Sequence, residues 1–364
     1  MPLALLPQAG DRRTSARQHD YSHSGGIPIL SIPDAESFFT HSFGPDPANE
    51  KEARAAYDAA EWIAAILAEQ NSLKQHNIYQ VIKRSEVPTG KRVFYPKMVL
   101  KRKLLPPTDE HPSGSIEKHK CRLTVAAYTK MLKQGIDYEE KHASTVRWDS
   151  LKILIAIAVK FGFDIVLYDI SSFFLYGRII EGSEMYMFIP AGWEGNESND
   201  SDNVWKLHGT LYGMPNAPHE AQKVLRSAMA ANKLFRPTTA DDCVYVTQDH
   251  STGYCASGTH VDDTMAVGDE KGLTKLASTL ENRFKITSKR NPTVITGVQV
   301  ERNRSKKWLK LHQEAYSNAL LAKYDRSEVH HVDTPMDPGT AKALMMLETE
   351  SGTPATVKKF QEIV

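Results

Sequence analysis

Two adjacent aspartates inside a β-rich stretch constrain this chain more than any other feature of its sequence. Residues 254–268 read YCASGTHVDDTMAVG, and Asp262 and Asp263 interrupt a run of apolar and β-prone side chains. A buried strand does not normally carry two charges, because each carboxylate would lose its hydration there. We therefore predict a β-hairpin in which a two-residue tight turn holds both acids at its tip. A plain polar turn would give the same pattern, so the pair alone does not establish a functional site.

A third aspartate, Asp169, ends the apolar stretch FDIVLYD. Carboxylate oxygens are the ligands that Mg²⁺ and Mn²⁺ prefer. If the strand that ends at Asp169 lies beside the hairpin, three carboxylates converge. Two metal ions roughly 3.5–4 Å apart could then activate an attacking oxygen and stabilise a leaving oxygen in phosphoryl transfer. A simple cap at the end of a strand is the alternative explanation for Asp169.

Other candidate sites are weaker. Asp241 and Asp242 also form an acidic pair, but they precede the strand-like segment CVYV, and we expect them to cap its entry. Cys243, Cys255 and His260 lack a convincing fourth partner, which a structural zinc site needs. The sequence contains neither a Gly-rich phosphate loop nor a Gly-x-Ser-x-Gly nucleophile elbow.

Charge and composition limit the class of protein. The net charge is only +1 over 364 residues, so any surface for nucleic acid must be local. Residues 83–147 carry 15 Lys or Arg against seven Asp or Glu, and residues 285–310 carry eight against one. A solvated sheet edge guarded by lysines would explain such a run equally well. The three scattered cysteines fit a reducing compartment.

The hydrophobic pattern predicts an α+β fold. Residues 1–48 lack periodicity, and we interpret them as a disordered arm or linker. A helical pattern runs from Asn49 to about residue 77, and strands with exposed loops follow up to residue 147. No segment reaches the roughly 18 apolar residues of a membrane span, and the start lacks the basic region of a secretion signal. We therefore expect an intracellular protein without a membrane partner.

An ordered set of segments carries a family resemblance. From about Asn49 to about Gly339, the chain resembles the reverse transcriptase domain of copia-type long-terminal-repeat retrotransposons. The segments, in order, are AAEWIAAILAEQNSLKQHNIYQVI, KHKCRLTVAAYTKMLKQGIDYEEKHASTVR, YDISSFFLYG, MYMFIPAGW, VWKLHGTLYGMPNAP, DDCVYV, HVDDTMAVG, LKLHQEAYSNALLAKY and TPMDPGT.

The resemblance implies a right-hand polymerase fold. Fingers and palm would occupy residues 49–314, and the palm would be an antiparallel sheet backed by helices. A short, partial thumb and a C-terminal tether would occupy residues 315–364. The strand of Asp169 and the hairpin of Asp262 would be neighbours in the palm.

The resemblance also implies roles for single residues at the metal ions. Asp169 and Asp262 would be the principal metal ligands, and Asp263 would be the third carboxylate. The backbone carbonyl of Ile170 would face the same ions.

The resemblance also implies residues that bind the nucleotide. Phe174 stands where the family places an aromatic gate that favours deoxynucleotides, with plain core packing as the alternative. Lys120 and Arg122 match basic positions over the incoming triphosphate, and Gly213 matches the segment near the nucleotide and template. The basic stretch 302–310 would lie near the primer strand.

The implied function is that of an RNA-directed DNA polymerase, a nucleotidyltransferase that uses two Mg²⁺ or Mn²⁺ ions. Its partners would be a primed RNA or DNA template and deoxynucleoside triphosphates, and it would act in the cytoplasm, in virus-like particles or in the nucleus. A catalytically inactive relic that keeps the fold and binds nucleic acid is the main alternative. His260 favours the relic, because the family has an aromatic ring two residues before Asp262, whereas the three retained aspartates favour activity. The chain also departs from the family at Val125-Ala-Ala, where Ala-Lys-Gly is usual. A metal-dependent nuclease that uses the same acids is a third reading.

Overall fold

The computed structural model divides the chain into two units, residues 1–313 and 314–364. The described residues are 44–105, 115–126, 132, 134–135, 138, 140–180, 182–198, 202–231, 233–249, 251 and 253–323. Most of the predicted arm, residue 127 and the predicted tether beyond residue 323 lie outside them. The described part of the second unit is one helix, which spans Glu314–Lys323. Within the described residues, no helix is both long enough and apolar enough to cross a membrane.

The described part of the first unit begins with two helices where the sequence predicted one. Helix α1 (Glu50–Ala55) begins at Asn49, whose side chain accepts a hydrogen bond from the Glu52 N–H at 3.0 Å. The chain becomes extended at Ala56, which ends α1, and helix α2 (Ala59–Gln75) then buries its apolar face. The prediction of one continuous helix was therefore wrong, because the periodicity of apolar residues does not reveal a short break.

A long antiparallel hairpin follows, formed by β3 (Pro96–Leu105) and β4 (Ser115–Val125). Helix α2 packs against β4. Along β4 the side chains alternate between the two faces. Cys121 and Leu123 are buried, whereas Lys120 and Arg122 are exposed. Strand β4 therefore presents Lys120 and Arg122 on the face opposite the core.

A four-stranded sheet shares the first hydrophobic core with α2 and β4. Its strands, in spatial order, are β1 (Tyr79–Lys83), β7 (Asn203–Leu207), β6 (Met185–Phe188) and β2 (Val93–Phe94). β2 pairs with β6 in parallel, and the other two pairings are antiparallel.

A six-stranded antiparallel sheet forms the rest of the first unit. Its spatial order is β12 (Ile286–Arg290), β5 (Asp164–Ile170), β11 (Asp263–Gly268), β10 (Cys255–His260), β9 (Val244–Thr247) and β8 (Phe235–Pro237). Helices α4 (Ala217–Ala231) and α5 (Glu270–Glu281) share a core with one face. Helix α3 (Trp148–Phe161) and a small sheet cover the other face. The strands of the small sheet are β13 (Val294–Ile295), β14 (Val298–Asn303) and β15 (Trp308–His312).

Burial of both faces explains why β5 and β11, in the middle of this sheet, read as nearly continuous apolar runs. In β5, Val166 and Tyr168 belong to the core on the side of α4 and α5, whereas Ile165 belongs to the core on the side of α3. Because a hydrophobic core covers each face, neither face carries the polar side chains that would show in the sequence as period-two alternation. The predicted mixture of helices and sheets is confirmed.

A buried charge network joins α2 to the β3–β4 hairpin. The Asp58 carboxylate accepts hydrogen bonds from Arg102 (Nε at 2.8 Å and Nη2 at 3.1 Å) and from the Trp62 indole N–H at 3.0 Å, and His119 Nε2 lies 2.7 Å from it. Burial raises the pKa of Asp58, but the hydrogen bonds from Arg102 and His119 outweigh it and lower the pKa below its ordinary value. The Asp46 carboxylate also accepts the Arg102 N–H, at 3.1 Å, although the sequence placed Asp46 in the arm.

Replacement of Asp58 by Asn should destabilise the fold by about 3 kcal/mol, because the buried Arg102 guanidinium would lose its nearer counter-ion and keep only Asp46, at 3.4 Å. The lowered pKa means that Asp58 stabilises the folded state above the ordinary value of 3.8 and loses this contribution as the pH falls below it. We therefore expect the stability difference between wild type and Asp58→Asn to shrink in acid, as measured by urea unfolding. Glu61→Gln, at an exposed position of α2, is the control. Equal stability of both variants at neutral pH would contradict this role of Asp58.

Candidate active site

The hairpin formed by β10 and β11 carries the two adjacent acids, but its turn differs from the prediction. His260 pairs with Asp263, so the two turn residues are Val261 and Asp262, and Asp263 is the first residue of β11. The prediction that both acids occupy the turn was therefore wrong by one residue. Val261 has a φ of 57°, a conformation that is costly for a β-branched side chain and that hairpin turns normally give to Gly. The backbone is strained next to the acids.

The third acid lies on the neighbouring strand. Asp263 pairs directly with Asp169 in the antiparallel ladder of β11 and β5, so both side chains leave the same face of the sheet. The Ile170 N–H donates a hydrogen bond to the Asp262 carbonyl at 3.0 Å and ties the end of β5 to the turn. Asp169 and Asp263 are exposed, and Asp262 is half-buried. Acids 93 positions apart thus meet at one end of the sheet.

Asp169 disfavours the negative charge of its two neighbours, Asp262 and Asp263. Burial by surrounding atoms raises the pKa of Asp263 to about 6, and the charges of Asp262 and Asp169 act in the same direction. Burial and Asp169 also raise the pKa of Asp262, against the opposing charges of Arg122 and Lys120. A cation among these carboxylates would remove the repulsion.

The tightest group of possible metal ligands is elsewhere. In the described part of the chain, only Asp241, Asp242 and Cys243 have ligand atoms that all lie within 4.8 Å of one another. The ligand oxygens of Asp169, Asp262 and Asp263 do not all lie within that distance of one another.

Hydrogen bonds show that the Asp241 group is structural. The Asp241 carboxylate accepts the Arg147 N–H at 2.9 Å, the Ser150 hydroxyl at 2.7 Å and the Cys243 N–H at 3.0 Å. Burial raises the pKa of Asp241, but these hydrogen bonds outweigh it and lower the pKa. Asp242 forms an ion pair with Arg226. Asp241 therefore holds the start of α3 and the entry to β9, and the second of these was predicted.

Two basic side chains of β4 act on the acids. Burial, together with the charges of Arg122 and Lys118, lowers the pKa of Lys120, whereas Asp169 and Asp262 act in the opposite direction. Arg122 in turn stabilises the charged form of Asp262. The structure therefore brings Lys120 and Arg122, which the sequence assigned to the triphosphate, close enough to the acids to influence their protonation.

An aromatic pair lies between the basic residues and the segment after Asp169. Phe174 belongs to a 3₁₀ turn that spans Phe173–Tyr176, and its half-buried ring meets the ring of Tyr212 edge-on with 5.8 Å between centroids. Arg122 lies over the Tyr212 ring, with its Cζ 5.1 Å from the centroid. Phe174 packs against both adjacent cores, so its surroundings fit a packing role as well as a gate.

Gly213 lies where the segment before α4 approaches β4. Its φ of 83° favours glycine, and a Cβ there would lie 3.5 Å from the carbonyl oxygen of Val125. The neighbouring Tyr212 carbonyl accepts the Val125 N–H at 3.3 Å. The glycine thus allows the turn that holds Tyr212 beside β4.

Sequence reasoning missed Tyr212 and Glu69. Tyr212 immediately precedes Gly213 in a segment that had been singled out, so its position was a usable signal. Glu69 follows Trp62 and Ile66 on the apolar face of α2, and it is buried there. An acid on an apolar helix face was a second usable signal.

The basic stretch 302–310 is partly engaged within the fold. Arg302 donates hydrogen bonds from Nη2 to the carbonyls of Ala158 at 2.8 Å and Phe163 at 2.7 Å. Arg304 forms an ion pair with Asp164. Both arginines fasten β14 and the turn after it to the end of α3, and a contact with a primer strand stays a prediction for the lysines of this stretch.

Two comparisons identify the family. A family model described as reverse transcriptase (RNA-dependent DNA polymerase) matches residues 76–338, well over half of the chain. The chain belongs to the reverse transcriptase family. The retrovirus-related Pol polyprotein from transposon TNT 1-94 of Nicotiana tabacum is 27% identical over 292 residues, which cover 80% of this chain and 21% of that protein. The corresponding polyprotein from transposon RE1 of Arabidopsis thaliana is 27% identical over 64% of this chain and 15% of its own length.

These relatives confirm the resemblance to reverse transcriptase domains of copia-type elements. The chain spans only about a fifth of the length of the Nicotiana tabacum polyprotein. A solved structure of a foamy viral protease-reverse transcriptase in complex with double-stranded DNA has a TM-score of 0.36 and 12% identity, over 78% of this chain and 39% of that one.

Replacement of Asp263 by Asn should stabilise the metal-free protein at pH 7.5. The raised pKa means that the folded state binds the Asp263 proton more tightly than the unfolded state does. The Asp263 charge therefore destabilises the folded state above pH 6. Below the ordinary pKa of 3.8, Asp263 has no effect on stability, because it is protonated in the folded and unfolded states alike. Allowing for solvent screening of this exposed group, we expect a gain of about 0.5–1 kcal/mol in EDTA at pH 7.5. Urea unfolding would measure it, and a gain that persists below pH 3.8 would contradict the explanation.

Proposed function

We propose that this chain is the polymerase core of a copia-type retrotransposon, which adds deoxynucleotides to a primer 3′-hydroxyl under the direction of an RNA template. The observation that supports this proposal most is the pairing of Asp263 with Asp169 beside the Asp262 turn, opposite the two cations of β4. Membership of the family supports the same reaction class.

Asp169, Asp262 and Asp263 would hold two Mg²⁺ or Mn²⁺ ions, together with the Ile170 carbonyl. Hard carboxylate oxygens with raised pKa values fit divalent cations, because a cation removes their mutual repulsion. When bound, such ions supply charge stabilisation for the attacking and leaving oxygens of phosphoryl transfer.

The chain's own residues would orient the nucleotide. Arg122 can grip phosphate oxygens through two parallel N–H donors, and Lys120 adds a compact positive charge. The Phe174 ring would lie against the sugar and exclude a 2′-hydroxyl. Gly213 and the turn around it would face the nucleotide and the template.

We further propose a fingers, palm and thumb division. The six-stranded sheet would be the palm, because it carries the three acids at one end. The β3–β4 hairpin would belong to the fingers. Fingers and palm together would occupy residues 49–314. Residues 315–364 would be a partial thumb and a tether. A primer annealed to an RNA or DNA template would be the polymer partner.

Primer extension on an RNA template tests the reaction. Asp262→Asn should lower incorporation at least about a hundredfold, because the half-buried carboxylate would no longer bind a metal ion that stabilises the transition state. Asp242→Asn is the matched control, since it removes one acid of the other adjacent pair and should leave incorporation unchanged. Equal incorporation by Asp262→Asn and wild type would show that the proposed site does nothing.

An inactive relic is the second candidate, and His260 favours it. The ring lies beside the acids at the end of β10; burial lowers its pKa, against the opposing charge of Asp262. A wild-type chain that binds a primed template but incorporates no nucleotide would support the relic. Shortening of the primer in the same assay would indicate a nuclease.

Replacement of Phe174 by Ala should relax the choice of sugar. Without the ring, a ribonucleotide would no longer clash, and the ratio of ribonucleotide to deoxynucleotide kcat/KM should rise by about tenfold or more. Phe161→Ala is the control, because that exposed ring lies beyond the opposite end of β5. Normal extension with unchanged sugar selectivity in Phe174→Ala would leave Phe174 a packing residue only.

A further inference from the structure

A buried acid lies behind the strand that carries the two cations. Glu69, on α2, is only 7% exposed. Its Oε1 accepts the backbone N–H of Leu123 at 2.9 Å. Leu123 immediately follows Arg122 in β4 and points its own side chain into the core. The carboxyl group thus holds the backbone of β4 at the residue next to Arg122.

Glu69 is also coupled to both cations through space. Burial raises its pKa to about 7, while the hydrogen bond from Leu123 and the charges of Arg122 and Lys120 act against the rise. The charge of Glu69 also raises the pKa values of two other described groups, Cys121 and Tyr212. Burial raises the pKa of Cys121 to about 12 and that of Tyr212 above its ordinary value, so both stay neutral near pH 7.

We propose that Glu69 is a positioning residue for the triphosphate: its hydrogen bond to Leu123 places Arg122, and its negative charge offsets part of the positive charge that Arg122 and Lys120 present. The inference rests on the proposed function, because it takes the ligand of these cations to be a nucleoside triphosphate.

The hydrogen bond and the charge have opposite effects on binding. The hydrogen bond keeps a buried N–H paired and the strand in place, which favours the grip of Arg122. The charge weakens the attraction between the cations and an anionic ligand, because it lies behind them in a poorly solvated region. A change that keeps the bond but removes the charge should therefore tighten binding.

Three variants separate these effects in the full-length chain. Glu69→Gln keeps an acceptor for Leu123 without the charge, Glu69→Leu removes both, and Glu61→Gln removes a charge from an exposed position of the same helix. The probe is dTTP with Mg²⁺, measured by equilibrium dialysis. At pH 8, Glu69→Gln should bind dTTP about three- to tenfold more tightly than wild type. Glu69→Leu should bind it about fivefold more weakly than Glu69→Gln, and Glu61→Gln should match wild type.

The pH dependence distinguishes a charge effect from a structural one. At pH 6, wild-type Glu69 is largely protonated and resembles Gln, so the advantage of Glu69→Gln should disappear. Several results would overturn the inference: equal dTTP binding by Glu69→Gln and wild type at pH 8, an advantage that persists at pH 6, or no dTTP binding by wild type. If Glu69→Leu does not fold, the Gln comparison still decides the matter. Primer extension by wild type tests the proposed polymerase function separately, so its failure is distinguishable from these outcomes.

Discussion

The pairing of β5 with β11 is the interaction on which the candidate site depends. It places Asp263 opposite Asp169 and joins Ile170 to the turn residue Asp262. Burial raises the pKa of Asp263, and the repulsion from Asp262 and Asp169 adds to that rise. The two strands stay together because helices cover both faces of the sheet and bury its apolar side chains. Hydrophobic packing therefore holds together carboxylates that would separate if nothing else constrained them.

The basic side of the site has its own supports, which lie on the opposite face of the β3–β4 hairpin. Asp58 neutralises the buried Arg102 of β3, and Glu69 binds the backbone of β4. Asp58 lies at the start of α2 and Glu69 lies within it, so one helix anchors the hairpin at two points. Tyr212 connects this hairpin to the segment after Asp169, since its ring contacts Arg122 on one side and Phe174 on another.

The apolar pattern predicted helical structure after Asn49, the strand that ends at Asp169 and the hairpin of Asp262. It failed where a short local event decided the structure. Extended backbone at Ala56 divides one expected helix into two, and a strained Val261 shifts the hairpin turn by one residue. For Asp241 the sequence position was informative, because its place before the strand CVYV predicted the cap that the structure shows at the entry to β9. The two acidic pairs also have different surroundings. Asp241 accepts three hydrogen bonds from the start of α3 and its own loop, whereas Asp263 pairs with Asp169 and Asp262 feels the charges of Arg122 and Lys120.

The sequence by itself determined the family, the set of acids and cations, and the order of the elements that carry them, since these follow from residue type and spacing. The tertiary structure alone decided which acids meet. It also decided that Arg302 and Arg304 form contacts within the fold and that Glu69 lies behind Arg122. The reason is physical: the protonation and binding capacity of a side chain depend on its neighbours in space. Here those neighbours come from strands and helices that are tens of residues apart along the chain.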